Sequence, residues 1–167
     1  MKEISPQEAL DRLFPLSCVF ITSINKHGKP NGMVASWVMQ TSFNPPYIAI
    51  SVGKKRLTYQ FIKESKEFVV AVPNKKLERA IMFFGTKSGR DLDKFTEAQV
   101  KTKKGKFVKS PLLTEATINY ECKLWKEVDS GDHVIFIGKV VASYINEEKK
   151  VLMSMGKVDG KRIFEEF

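Results

Sequence analysis

The sequence has few of the residues on which most catalytic and metal sites depend. It contains two cysteines, Cys18 and Cys122, and two histidines, His27 and His133. The cysteines lack metal-ligand spacing or a disulfide pattern, and each lies in an apolar stretch where a thiol acts as a small hydrophobe. The G-x-S-x-G, H-E-x-x-H and C-x-x-C motifs are also absent. We therefore expect no metal site and no catalytic side chain, so that any enzymatic chemistry would come from a cofactor.

Long apolar runs are missing as well. The longest, such as residues 68–72 and 134–137, are far shorter than the roughly 20 residues that cross a bilayer. Residues 1–13 carry charges throughout and have no apolar core of a signal peptide. With 167 residues, of which 43% are apolar, we expect a single domain, residues 1–167, in the reducing cytoplasm and without a membrane partner.

The charge is one-sided, with 28 Lys and Arg against 19 Asp and Glu and a formal net charge of +9. Such an excess is typical of nucleic-acid-binding proteins, of proteins that bind phosphorylated ligands and of Lys-rich solvated surfaces. The densest run, residues 101–109, has Phe107 as its one aromatic for base stacking, and no helix-turn-helix, zinc-finger or RNP signature accompanies it. We therefore expect no nucleic-acid partner and assign the charge to attraction of anionic cofactors.

Apolar patterning predicts a mainly β chain with short helices. The predicted strands are rich in Val, Ile and Phe and cover residues 17–24, 32–43, 47–52, 67–72, 116–128 and 132–145. The predicted helices have apolar residues at helical intervals and cover a segment from Ser5, residues 57–65 and residues 74–83. Residues 85–112 are expected to be irregular, and therefore functional or mobile. Because successive strands join as hairpins, the pattern favours an antiparallel barrel with peripheral helices over a βαβ sheet.

Residues 51–58 have the pattern of an anion-binding turn. A strand ends at Gly53, three cations follow, and a helix begins with Thr58 in its first turn. Backbone N–H groups at a helix start favour a phosphate, and Arg56 is suited to clamp it bidentately. A solvated basic turn before an amphipathic helix explains the same residues equally well.

Three further features allow a structural and a functional interpretation. Trp37 stands between small residues on a strand, which is typical of a core tryptophan but also lets a flat heterocycle approach the backbone. His133 follows a tight turn, where histidine is usually a surface residue, although beside a bound ring it can form a hydrogen bond. Residues 86–95 look like a phosphate loop but lack Walker spacing, so we do not expect ATP to bind there.

Taken in order and spacing, these segments resemble the flavin reductase-like family of FMN-binding split barrels, and within it the flavoredoxin and ferric-reductase branch. The resemblance covers nearly the whole chain, through residues 31–37, 44–46, 51–58, 84–95 and 131–138. It implies a mainly β fold, an antiparallel Greek-key split barrel with peripheral helices, and FMN as the cofactor.

The resemblance also implies roles for individual residues. The cofactor-binding positions are the ring and ribityl contacts Asn31, Ala35, Ser36 and Trp37, the phosphate turn Ser51, Lys54, Arg56 and Thr58, and three single residues that reach or flank the cofactor, Lys94, His133 and Phe164.

The function that the resemblance implies is an NAD(P)H-dependent flavin or ferric oxidoreductase. Electrons would pass from a reduced nicotinamide, a transient co-substrate, through FMN to a small-molecule or protein acceptor. The resemblance also implies a homodimer with FMN near the subunit interface. Because the sequence has no dedicated nicotinamide motif, an FMN-containing electron carrier without NAD(P)H oxidation of its own is the alternative. A basic nucleic-acid-binding barrel is a third interpretation, which retention on DNA at physiological salt would support.

Overall fold

Antiparallel strands dominate the computed structural model, which describes residues 1–147 and 149–167. In chain order the strands are β1 (Leu16–Ser17), β2 (Val19–Ile24), β3 (Pro30–Ala35), β4 (Val38–Phe43), β5 (Pro46–Gly53), β6 (Glu67–Val72), β7 (Thr102–Lys103), β8 (Leu112–Leu113), β9 (Ile118–Ser130), β10 (His133–Ile145), β11 (Leu152–Val158) and β12 (Lys161–Glu166). The helices are α1 (Pro6–Leu10), α2 (Leu57–Ser65), α3 (Glu78–Thr86) and α4 (Lys94–Glu97). The mainly β fold predicted from the sequence is confirmed.

Seven strands form one antiparallel sheet in the order β3-β2-β6-β9-β10-β5-β4. Its two outer strands, β3 and β4, are separated in the chain by Ser36 and Trp37 alone. Three Cα–Cα steps of about 3.8 Å each connect them, so the sheet must curl until its outer strands approach each other. In the described part of the chain no ladder joins β3 to β4, and the barrel is therefore split.

The connection between β3 and β4 differs from the prediction of one strand over residues 32–43. The backbone leaves β3 at Ala35, and β4 then pairs with β5 on the other side of the sheet. The carbonyl of Trp37 accepts a hydrogen bond from the Ser51 N–H at 3.0 Å, which fixes this crossing.

Two hydrophobic clusters pack on opposite faces of β2, because alternate strand residues point to opposite sides. Phe20 packs against α3, with its ring centroid 5.2 Å from that of Phe84. Ile21 faces the other cluster, inside the curled sheet, with Phe68, Phe136 and Ile62 of α2. The site described below lies beside α2 and α3, and the two clusters therefore hold these helices, which form part of its walls, in place.

Helix α2 and the long β9–β10 hairpin are confirmed, although β9 begins and ends two residues later than the predicted strand 116–128. Gly131 adopts φ 63° in the two-residue connection between Ser130 and His133, a conformation that glycine reaches without strain. Helix α2 buries Thr58, Phe61 and Ile62 along one stripe and spans the predicted residues.

Helix α3 begins later than the predicted residue 74. A 3₁₀ turn, Lys75–Leu77, comes first, with the Asn74 side chain accepting from the Lys76 N–H at 3.1 Å. The N-terminal helix α1 is short and begins after Ser5, whose hydroxyl accepts from the Glu8 N–H.

Residues 85–112, expected to be irregular, contain α4 and a loop that two buried carboxylates anchor. Glu121 accepts hydrogen bonds from the backbone N–H groups of residues 106–108 at 2.6–2.8 Å and from the Tyr144 hydroxyl at 2.5 Å. Glu67 accepts from the N–H groups of Lys109 and Ser110 at 2.5 and 2.9 Å. The backbone of residues 106–110, at the end of the basic run, is thus held against β6 and β9.

Burial raises the pKa of Glu121, but the hydrogen bonds from Tyr144 and from the three backbone N–H groups outweigh it and hold the pKa below the ordinary value. The carboxylate therefore stays charged, as its role as acceptor requires.

Within the described residues, no helix is both long and apolar enough to cross a membrane.

Candidate functional site

A cleft of about 640 Å³ opens between β3, the β5–α2 turn and the segment that follows α3. Its volume lies in the range typical of small-molecule sites. Its walls carry six cationic side chains, Lys54, Lys55, Arg56, Lys87, Arg90 and Lys94, and one acidic side chain, Asp132. The electrostatics of the cleft therefore favour an anionic ligand.

The β5–α2 turn places the start of a nine-residue helix at the cleft. The Arg56 N–H donates to the Gly53 carbonyl at 2.9 Å, and the Lys54 N–H donates to the Asp132 carbonyl at 3.0 Å. These bonds fix the turn against the β9–β10 hairpin. The first N–H groups of a helix have no partners inside it, which makes its N-terminus an anion site. The exposed guanidinium of Arg56 takes part in no ion pair among the described residues and is available to the same anion.

Asn31 and Thr58 form a buried polar pair in the cleft wall. The Asn31 Nδ2 donates to the Thr58 Oγ1 at 2.8 Å, which leaves the hydroxyl hydrogen of Thr58 available to a ligand. The Oδ1 of Asn31 is buried and has no hydrogen-bond partner in the described structure. A buried acceptor left unpaired costs about 1–3 kcal/mol, so a ligand that donates here gains affinity.

Gly89 allows the loop after α3 to approach Asn31 closely. A Cβ at Gly89 would lie 2.1 Å from the Asn31 Oδ1, well inside contact distance. An alanine here would therefore force the Asn31 side chain or the loop to shift.

Lys94 is a buried cation in the cleft wall, with 5% of the residue exposed. Its Nζ donates to the carbonyls of Phe84 and Lys87 at 3.2 and 3.3 Å, so one of its three N–H groups makes no hydrogen bond among the described residues. No ion pair among the described residues includes it. Burial, and next the nearby charge of Arg56, lower the pKa of Lys94 to about 8. A buried cation of this kind favours an anionic ligand.

His133 and Trp37 border the cleft at the start of β10. The Nδ1 of His133 lies 2.7 Å from the Asp132 Oδ1, and this hydrogen bond lowers the pKa of Asp132. The His133 ring lies against Trp37, with centroids 4.9 Å apart, and 59% of Trp37 is exposed. Lys54 pairs with Asp129 at 2.7 Å, so part of its charge is already neutralised.

Comparison with known proteins agrees with this fold. Residues 10–160 match the model of the flavin reductase like domain. The chain belongs to the flavin reductase-like family.

Individual relatives show how far the similarity extends. The chain is 39% identical over 132 residues to an uncharacterised protein of Archaeoglobus fulgidus, covering 79% of this chain and 73% of that one. It is 31% identical over 138 residues to a ferric-chelate reductase (NAD(P)H) of the same organism, covering 80% and 79%. The structure of flavoredoxin of Desulfovibrio vulgaris (Miyazaki F) superposes with a TM-score of 0.86 at 22% identity, over 100% of this chain and 93% of that one.

The structure brings six of the predicted cofactor-binding residues together in the cleft wall: Asn31, Lys54, Arg56, Thr58, Lys94 and His133. Trp37 packs against His133 at the border of the cleft, and Ser36 precedes Trp37 in the β3–β4 connection. Ser51 joins the same region through its backbone bond to Trp37. Ala35 is buried inside the curled sheet. The role of each residue toward a cofactor stays a prediction.

Phe164 does not line the cleft. It lies on β12, is 7% exposed and packs in the hydrophobic cluster on the α3 side of the sheet. Its predicted cofactor contact therefore has no support from the geometry of this chain.

The sequence pattern assigned no cofactor-binding role to several cleft residues: Lys55 of the predicted anion-binding turn, and Lys87, Ser88, Gly89 and Arg90. Four of them lie in the loop that resembles a phosphate loop but lacks Walker spacing. The similarity of this loop to a phosphate loop in composition could have indicated that it lines an anion site. What brings this loop beside the β5–α2 turn is the packing of α3 on β3, which sequence spacing does not show.

Proposed function

We propose that this protein binds FMN in the cleft and acts as an oxidoreductase that passes electrons from NAD(P)H to an acceptor. The observation that carries the proposal is the convergence of the α2 N-terminus, Arg56 and the buried Lys94 on one cleft. Family membership and the similarity to a protein named as a ferric-chelate reductase (NAD(P)H) support it.

The phosphate of FMN suits the cationic part of the cleft. A phosphate monoester carries close to two negative charges at neutral pH. Arg56 offers a bidentate guanidinium, Thr58 a free hydroxyl hydrogen and Lys94 its third N–H. Thr58 and Lys94 are buried and held by the fold before the ligand arrives, so these two side chains lose little conformational entropy when they bind it.

The remaining cleft residues suit the polar and flat parts of the cofactor. The unpaired Oδ1 of Asn31 would accept from a ring N–H or a ribityl hydroxyl. His133, oriented by Asp132, and Trp37 offer an imidazole and an aromatic face at the cleft border. When bound, FMN supplies the group that accepts hydride and releases electrons. The cationic walls would favour the negative charge that reduction adds.

The proposal includes a homodimer and a cytoplasmic setting. Large apolar side chains are exposed on β4, with Met39 at 61% and Phe43 at 86%, and on β9, with Trp125 at 58%. Exposed apolar residues on an outer strand are typical of a subunit interface. Cys18 and Cys122 are buried free thiols, as is usual for proteins of a reducing compartment. Burial raises the pKa of each to about 12, so both thiols stay protonated and unreactive.

The experiment that tests the function is anaerobic reduction of the FMN-loaded protein. NADH and NADPH are added in turn, and the visible flavin bands are followed. Bleaching by either nucleotide would support the oxidoreductase. Flavin bands that respond to dithionite but to neither nucleotide would instead support an electron carrier. A spectrum without flavin bands after loading and removal of excess FMN would contradict both.

A further inference from the structure

The cleft holds more positive charge than one FMN phosphate neutralises. Of the six cations in its walls, Lys54 pairs with Asp129, and the acidic Asp132 is bonded to His133. Arg56 and Lys94 are assigned above to the phosphate. Lys55, Lys87 and Arg90 remain, and all three are exposed and take part in no ion pair among the described residues.

Two of these cations are presented by a rigid segment. The Lys87 carbonyl accepts from the buried Nζ of Lys94, and the Arg90 N–H donates to the Ser88 Oγ at 3.2 Å. Gly89, between them, packs against Asn31 at a distance that permits no side chain. The backbone that carries Lys87 and Arg90 is thus fixed to the cleft wall, which lowers the entropic cost of binding a partner there.

We propose that Lys55, Lys87 and Arg90 form a docking surface at the cleft mouth for an acidic electron-carrier protein. The three side chains come from two segments on different sides of the cleft, and so match several carboxylates on a surface better than a single phosphate. Complementary charge at the rim of an interface accelerates encounter and orients the partner. The proposal rests on the proposed function, because the partner would be the acceptor of electrons from the cofactor.

The electron balance of the proposed step is simple. The reduced cofactor holds two electrons, and each one-electron carrier takes one of them. Two encounters therefore return the cofactor to its oxidised form. The protons that it gained on reduction go to solvent, and no bond between the two proteins forms or breaks.

The test measures binding of a small acidic rubredoxin to the FMN-loaded protein by fluorescence anisotropy at several salt concentrations. The variant is Lys87→Glu with Arg90→Glu. The matched control is Lys104→Glu with Lys157→Glu, which changes the net charge equally at exposed positions outside the cleft wall. We expect wild-type affinity to fall with salt, the cleft variant to bind about tenfold more weakly, as for two partly exposed ion pairs, and the control to stay within about twofold. Electron transfer from the dithionite-reduced protein should follow the same order.

Several results would overturn the docking surface. The first is an equal loss of rubredoxin affinity in the cleft variant and in the control variant. The second is a basic cytochrome c that binds the wild-type protein as tightly as rubredoxin does. The third is no binding of rubredoxin at low salt. A rise in the KM for NADPH in the cleft variant, with rubredoxin binding unchanged, would assign the cations to a nucleotide phosphate instead. The milder variant Lys87→Gln with Arg90→Gln should show an intermediate loss.

The FMN content of every sample, read from its visible spectrum, separates the two proposals. Retained FMN with no docking would leave the proposed function standing and remove the docking surface. Failure of the wild-type protein to hold FMN would contradict the proposed function itself.

Discussion

The affinity for FMN should depend on pH through Lys94. Burial, and next the charge of Arg56, lower the pKa of this lysine to about 8 in the cofactor-free protein. The charged form is the one that attracts phosphate, and it makes up about nine-tenths of the protein at pH 7 and about one-tenth at pH 9. The apparent Kd scales inversely with the competent fraction, so it should rise about tenfold between these two values. The second pKa of a phosphate monoester is about 6, and the ligand therefore stays dianionic over this range.

The assay is titration of FMN fluorescence with protein at pH 7, 8 and 9, with riboflavin as the matched ligand. Riboflavin has the same ring but no phosphate, and its affinity should not show the Lys94 titration. Lys94→Met, a neutral chain of similar length, should bind FMN weakly and with little pH dependence. A wild-type Kd for FMN that is constant from pH 7 to 9 would refute the contact between Lys94 and the phosphate.

Lys94 has the opposite effect on the stability of the cofactor-free protein. Its folded-state pKa, about 8, lies below the value of about 10.4 for an unperturbed lysine, so the unfolded chain binds more protons between these limits. Its contribution to the free energy of unfolding therefore rises with pH from 8 to 10.4, while FMN affinity falls. Denaturant titrations of wild type and Lys94→Met at pH 7 and 9 test this. Relative to Lys94→Met, the wild type should have a higher free energy of unfolding at pH 9 than at pH 7.

Three further variants test the site and the scaffold. Arg56→Ala should weaken FMN binding by about 1.5–3 kcal/mol, the range for a hydrogen bond to a charged group, whereas Lys104→Ala should leave calorimetric affinity unchanged; unchanged affinity in Arg56→Ala would place the phosphate elsewhere. Gly89→Ala should also weaken FMN binding, because the new Cβ would lie 2.1 Å from the Asn31 Oδ1, and wild-type affinity would show that the loop yields without cost. Glu121→Gln should destabilise the fold by about 2–3 kcal/mol, because one amide oxygen replaces a carboxylate that accepts four hydrogen bonds. That loss should lower Tm by several degrees, about 2–4 °C per kcal/mol for a chain of this size, and an unchanged Tm would contradict the anchoring role of Glu121.

Sequence patterns predicted the elements that depend mainly on residues close to one another in the chain. The Gly131 turn between two apolar strands and the buried stripe of α2 are both found where the sequence places them. The break at Ser36 and Trp37 was not predicted, because it depends on β4 pairing with β5 across the sheet. The β11–β12 hairpin was also missed, since its glycines and charges hide a strand pattern.

The site shows the same division. Arg56 and Thr58 were found from a strand, a glycine and a helix start that follow one another in sequence. Lys87 and Arg90 reach the cleft through the packing of α3, a tertiary contact. The positive charge of residues 101–109 was a misleading indicator of the ligand site. Buried Glu67 and Glu121 accept hydrogen bonds from the backbone there, and the cations of the cleft come from other segments.

Calorimetric titration of the cofactor-free protein with FMN and with riboflavin at pH 7 would show directly whether the cleft binds FMN. We expect one FMN per chain, bound at least about tenfold more tightly than riboflavin, as expected for charge-assisted hydrogen bonds to the phosphate. Equal affinity for the two flavins, or no binding of either, would contradict the claim that this cleft is an FMN site.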